Sequence, residues 1–223
     1  KLNSSLFQTG DDGGKWAGEL SEKLEHQNKI VSIKEWFENL EKTLMIPIST
    51  SSEKGPRMNR KRTLLFWESL NQGNPSNIPL SFTLKEESTS WNILDGWRRL
   101  LTIFIGIAVI RDMVRESDSN NPHIDKIQKR YFWKNNFKTV TKIKFSDSNE
   151  MRCFDYLYNG PLPLDNKELT QRNFIGQTYW ALREVMFAEI ETMRAEDKVE
   201  ALLLRILEKI SECKIILIHF SDN

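Results

Sequence analysis

The stretch Asn92–Ile107, NILDGWRRLLTIFIGI, decides how the rest of the chain is read. A short apolar piece, WNIL, has the composition of a strand. It meets Asp95 and Gly96, then Arg98 and Arg99, then an apolar run that continues to Ile110. That run has apolar residues on nearly every helical face, so it predicts a central, buried helix reaching about Glu116. With the helix starting near Trp97, Asp95 and Gly96 form a strand-to-helix turn. The first N–H groups of a helix have no internal partner, and together with the helix dipole they attract anions. Gly96 permits a close backbone approach. The Arg99 guanidinium is a planar fork of donors suited to phosphate. Asp95 can cap the helix, hold Arg99, orient a water or take part in metal binding. Taken alone, five such residues are better explained as a charged helix start whose arginines cover apolar surface.

Working outward, Ser32 and Glu35 form a capping box, and Trp36, Phe37, Leu40 and Leu44 share one face of the helix it predicts, which Pro47 ends. Trp16 to Asn28 is expected to form a short helix. Thr63 to Leu70 reads as a helix. Ile78 to Leu84, IPLSFTL, alternates as a half-buried strand does, and WNIL returns as its hairpin partner. After the central helix, IDKIQKRYFWKNNFK is ambiguous, whereas TVTKIKF and MRCFDYLY read as strands. Thr170 to Met193 and Val199 to Cys213 read as helices, and KIILIHF as a final strand. The predicted class is α+β: mostly helical, with a small mixed sheet.

The 223 residues suffice for one large domain and a sizeable core. Net charge is +1, so any nucleic-acid contact must rest on local patches. Cys153 and Cys213 form no CxxC pair, and His26, His123 and His219 are far apart, so neither a disulfide framework nor a metal is suggested. The longest apolar run, Leu100–Ile110, is shorter than the roughly 20 residues that span a bilayer. A cytoplasmic, non-membrane setting is expected. The chain stops soon after its last strand, which raises the expectation that further chain follows.

The opening stretch resembles the D-G-Q-Q-R-L-T motif of the N-terminal domain of GmrSD-type restriction endonucleases, a prokaryotic family with a ParB/sulfiredoxin-like fold. Asp95, Gly96, Arg99, Leu100 and the later Thr102 stand at motif positions, while Trp97 and Arg98 replace the two glutamines. LMIP, NIPLSFTL, RNFIGQTYWAL and KIILIHF follow the family's order of elements, so the resemblance covers most of residues 30–223. Residues 1–29 would be a flexible or peripheral segment. The resemblance implies a ParB/sulfiredoxin-like core and an NTP-binding sensor domain, GTP, ATP or UTP with Mg2+, in modification-dependent DNA restriction or antiviral defence. Its partners would be modified DNA, a nuclease domain following residue 223, and a second copy of the chain. Asp95 and Arg99 would be catalytic in NTP hydrolysis. Gly96 and Arg98 would bind nucleotide, with Arg57 and Arg60 as stand-ins for an upstream Q-R element.

Two basic stretches bear on DNA. Lys54–Arg62 holds five basic residues in nine, and Lys126–Lys144 holds seven in nineteen, neither with an acidic residue. In the second, Lys129, Arg130, Lys134 and Lys138 are candidate DNA contacts, interleaved with Tyr131, Phe132, Trp133 and Phe137 as candidate stacking groups. For either stretch alone, a solvated face with aromatics turned inward is the plainer reading. The alternative function is therefore a DNA-binding or protein-interaction module with a degenerate, non-catalytic nucleotide site. Glu184, Glu189, Glu191, Glu196 and Glu200 alternate with basic residues, as solvent-facing helix charges do.

Overall fold

In the computed structural model the described residues are 28–46, 60–72, 80–133, 140–145, 148–161, 174–192 and 199–220. They form an α+β fold around a six-stranded mixed sheet. The strands are β1 (Asn28–Ser32), β2 (Thr43–Ile46), β3 (Leu80–Glu86), β4 (Ser90–Asp95), β5 (Ile143–Phe145) and β6 (Lys214–Phe220). The helices are α1 (Ile33–Glu38), α2 (Arg60–Asn71), α3 (Trp97–Ser117), α4 (Pro122–Ile127), α5 (Ser148–Asn159), α6 (Phe174–Glu191) and α7 (Val199–Glu212). A π-helical turn, Gln128–Phe132, extends α4.

The sheet order is β1-β6-β3-β4-β2-β5. The final strand therefore lies inside the sheet, antiparallel to β1 and parallel to β3. β3 and β4 form the expected antiparallel hairpin, and β2 runs parallel to both β4 and β5. Alternation selects one face of the sheet for the core: Leu80, Phe82 and Leu84 of β3, Ile215 and Leu217 of β6, and Ile93 of β4 are all buried. The expected central helix is α3, buried without interruption from Leu100 to Val114. Each such large side chain stabilises the fold by about 1.5–3 kcal/mol. Gly106 is where α2 crosses α3, since a Cβ there would lie 2.0 Å from the Trp67 ring.

Four expectations are corrected. The Ser32 half of the capping box forms, with the Glu35 N–H donating to Ser32 Oγ at 3.1 Å, but α1 ends at Glu38. Leu44 lies instead on β2, whose pairing on both sides with β4 and β5 outweighs the helical spacing. MRCFDYLY belongs to helix α5 rather than a strand, and Phe154, Leu157 and Tyr158 bury one helical stripe. TVTKIKF yields only the three-residue strand β5. Asn28, expected to end a helix, begins β1. The remainder of that Trp16 helix lies outside the described residues.

A buried polar cluster lies within α3. Arg111 and Asp112 are fully buried in α3. Arg111 Nε donates to Asp112 Oδ1 at 2.8 Å and Nη1 donates to the Leu157 carbonyl, tying α3 to α5. Tyr179 Oη donates to Asp112 Oδ2 at 2.9 Å, tying α3 to α6. Burial holds the Asp112 carboxyl above the usual carboxylate range against the pull of Arg111.

Candidate functional site

The opening stretch folds as a strand, a turn and a helix, with a defect at the strand end. Leu84 pairs with Ile93 but Thr83 pairs with Asp95, so Leu94 is an extra residue and the register shifts. In a regular strand Asp95 would share the buried face of Ile93. The bulge turns it outward, and its side chain is 77% exposed. Leu94, also released from the pleat, is exposed as well.

Gly96 makes the turn at φ 84°, in the left-handed region. A Cβ there would meet Phe82 Cδ1 and the Ser81 carbonyl, each at 2.7 Å. The close approach that Gly96 permits is thus to strand β3, an architectural need the sequence reading did not foresee. Gly96 is the N-cap of α3 and no side chain caps the helix, so Asp95 does not fill that role. The first-turn N–H groups are left available to a ligand beside the turn.

Arg99 follows one helical turn after Asp95, and its Nη2 stands 3.7 Å from Asp95 Oδ2. At that distance, with Asp95 so exposed, the pair is a loose ionic contact rather than a locked bridge. Arg98 is exposed and lies over the Trp97 ring, 4.9 Å from its centroid. Trp97 in turn meets Phe174, the first residue of α6, edge to face at 6.3 Å. The start of α6, whose Phe174 belongs to the RNFIGQTYWAL segment, therefore adjoins the start of α3. Thr102 is buried, and its Oγ1 donates to the Arg98 carbonyl at 2.9 Å, so this motif position fixes the helix backbone from within.

The remaining candidates divide. Arg60 opens α2 and forms an ion pair with Glu184 of α6, both side chains well exposed. Arg57, Lys134 and Lys138 lie outside the described residues. Lys129 is exposed on the π-helical turn, whereas Arg130 Nε is 2.7 Å from Glu38 Oε1. Tyr131 and Phe132 are fully buried and Trp133 nearly so. Three of the four candidate stacking rings are core groups, because the π-helical turn directs them inward onto Phe37, Phe104 and Tyr158. Phe137 lies outside the described residues.

Among the described residues no group of three or more His, Cys, Asp or Glu side chains is placed to hold a metal, and no helix is long and apolar enough to cross a membrane. Mg2+ accompanying a nucleotide needs less, one or two carboxylates plus the phosphates themselves. The outward-turned Asp95 fits that requirement. No protein-family model matches the chain, and no curated protein matches it.

Proposed function

We propose that the Asp95–Arg99 turn binds the phosphates of a nucleoside triphosphate, and that the chain is the nucleotide-binding sensor domain of a modification-dependent DNA restriction or antiviral defence system with a ParB/sulfiredoxin-like core. The observation that carries this reading is the bulge at Leu94 followed by an uncapped α3, which together put a carboxylate, two arginines and free N–H groups at one exposed turn. Gly96 holds the capping position because the turn against β3 needs it, and glycine caps a helix nearly as well as a side chain does, so the reading rests on the groups gathered at the turn and not on a missing cap.

In this reading the α3 N–H groups and the Arg99 fork hold phosphate oxygens. Arg98 supplies a second cation at the rim. Asp95 leaves its loose contact with Arg99 to hold the Mg2+ that neutralises phosphate charge. Hydrolysis, with Asp95 and Arg99 as the catalytic pair, is the further step of the same reading. Trp97 and Arg98 stand where the resembling family has glutamines, so binding is the firmer half.

A second reading, DNA binding without nucleotide, rests on the exposed lysines Lys126, Lys129 and Lys144. The inward-turned aromatics restrict it to phosphate contacts. Thermal unfolding with GTP, ATP and UTP plus Mg2+ separates the two. Nucleotide binding raises the midpoint of the wild type and not of Arg99→Ala. The DNA reading shows no nucleotide effect but salt-sensitive duplex binding that Lys129→Ala weakens.

A further inference from the structure

Strand alternation gives the sheet a second face, opposite the core. On β6 this face carries Ile216, Ile218 and Phe220, which alternate with the buried Ile215 and Leu217. The register of β1 sets Ile30 beside Ile216 and Asn28 beside Ile218, so Ile30 extends the same patch onto the edge strand. Ile30 is 68% exposed and Phe220 51%, while Ile216 and Ile218 are half-buried. On its other side β6 meets β3, where Ser81 and Thr83 oppose Ile216 and Ile218 and bound the patch with small polar side chains. An apolar patch thus lies at one margin of the sheet, beside a strand that has a strand neighbour on one side only among the described residues. Proteins blunt such an edge by covering it with a helix or a loop.

The sequence supplies a cover that joins the fold at this point. Residues 1–27 lead into β1 at Asn28, which shares the outer face with Ile30. Within them Trp16, Leu20 and Leu24 recur at i, i+4 and i+8, one stripe of a helix. Glu22 and Glu25 fall on the side opposite that stripe. A helix from Trp16 to Leu24 is about 14 Å long, the width of about three neighbouring strands. Glu25, His26 and Gln27 remain to connect it to β1, an ordinary length for a helix-to-strand turn.

We propose that residues 16–24 dock as a helix on this outer face, with Trp16, Leu20 and Leu24 against Ile30, Ile216 and Ile218, and that they shield the β1 edge. The sheet then carries helices on both faces. The occupant is a segment of the same chain, since its apolar stripe is three residues from the strand it covers.

The test is made on the full chain with labelled isoleucine methyl groups, assigned from Ile30→Val, Ile216→Val and Ile218→Val. The Ile216 and Ile218 methyls should show NOE contacts to the Trp16 ring, assigned from Trp16→Phe, and to Leu20 and Leu24. In a mixture of labelled and unlabelled chains, no such contact should pass between copies. The double variant Leu20→Asp, Leu24→Asp should abolish the contacts and shift the Ile216 and Ile218 methyl resonances. The methyls of Ile103 and Ile107, buried in α3, should stay in place, which separates undocking from unfolding. The proposal is overturned if the wild type shows no contact between Trp16, Leu20 or Leu24 and these methyls. It is equally overturned by contacts that pass only between copies, which would make a second copy the occupant, or by Ile216 and Ile218 resonances that the double variant leaves unmoved.

Discussion

At the scale of single residues, Gly96 does more than the sequence reading assigned to it. Its left-handed φ and the 2.7 Å approach to Ser81 and Phe82 leave no room for a Cβ. A left-handed non-glycine residue costs about 1–3 kcal/mol and overpacking a similar amount. Gly96→Ala should lower stability in urea by about 2 kcal/mol or more, whereas a change within about 0.5 kcal/mol would show the turn to be permissive. His219 gives a pH signature. Its imidazole is held below its ordinary value of 6.5, chiefly by burial, with Lys29 adding to the shift and Glu86 opposing it. Above that pH it is neutral in both folded and unfolded chains. As the pH falls below it, the unfolded chain takes up the proton first, so native stability declines. Comparing urea midpoints at about pH 7.5 and pH 5.5, His219→Gln should lose less stability on acidification than the wild type. Gly96 was legible as a turn residue from Asp-Gly alone, but its contact with β3 was not, because that contact joins residues far apart in sequence.

At the scale of elements, α3 is the part most legible in the sequence and also the part with the least legible interior. A long run apolar on all sides can only be a buried helix, and so it is. Its last buried turns, however, contain Arg111 and Asp112, which charge alone would assign to solvent. They are buried because Leu157 and Tyr179, on α5 and α6, supply their hydrogen-bond partners. Removing one member of such a pair leaves the other charge buried, at a cost of about 3–5 kcal/mol. Asp112→Ala and Arg111→Met should each destabilise by that order in urea unfolding. The double variant should be less affected than the sum of the two; strict additivity would show that the pair does not act as a unit. The crossing of α2 and α3 offers a similar comparison. Gly106→Ala drives a methyl into the Trp67 ring and should cost about 1–3 kcal/mol, with part recovered in the Trp67→Leu background. Two elements differ from the expectation: Leu44 lies on a strand because β2 pairs with both β4 and β5, and MRCFDYLY is helical because Phe154, Leu157 and Tyr158 bury one helical stripe.

At the scale of the whole molecule, the sheet order brings together what the sequence separates. The chain's last strand joins β1 to β3, so the hairpin that carries Asp95 is held in the sheet interior rather than at an edge. The exposed turn at its end is then presented by a rigid strand and a buried helix, a sound base for a binding site. The residues of this candidate site are visible in the sequence through their types and spacing. The bulge at Leu94 is not, although two adjacent apolar residues, Ile93 and Leu94, break strand alternation and could have signalled it. The central claim, that the start of α3 receives phosphate, is tested most directly by titrating GTP with Mg2+ while following backbone amide resonances. Saturable shifts should concentrate at Trp97, Arg98 and Arg99 and vanish in Arg99→Ala. Shifts confined to the lysines around Lys129, or no saturable shift at all, would contradict it and leave the turn a charged helix start.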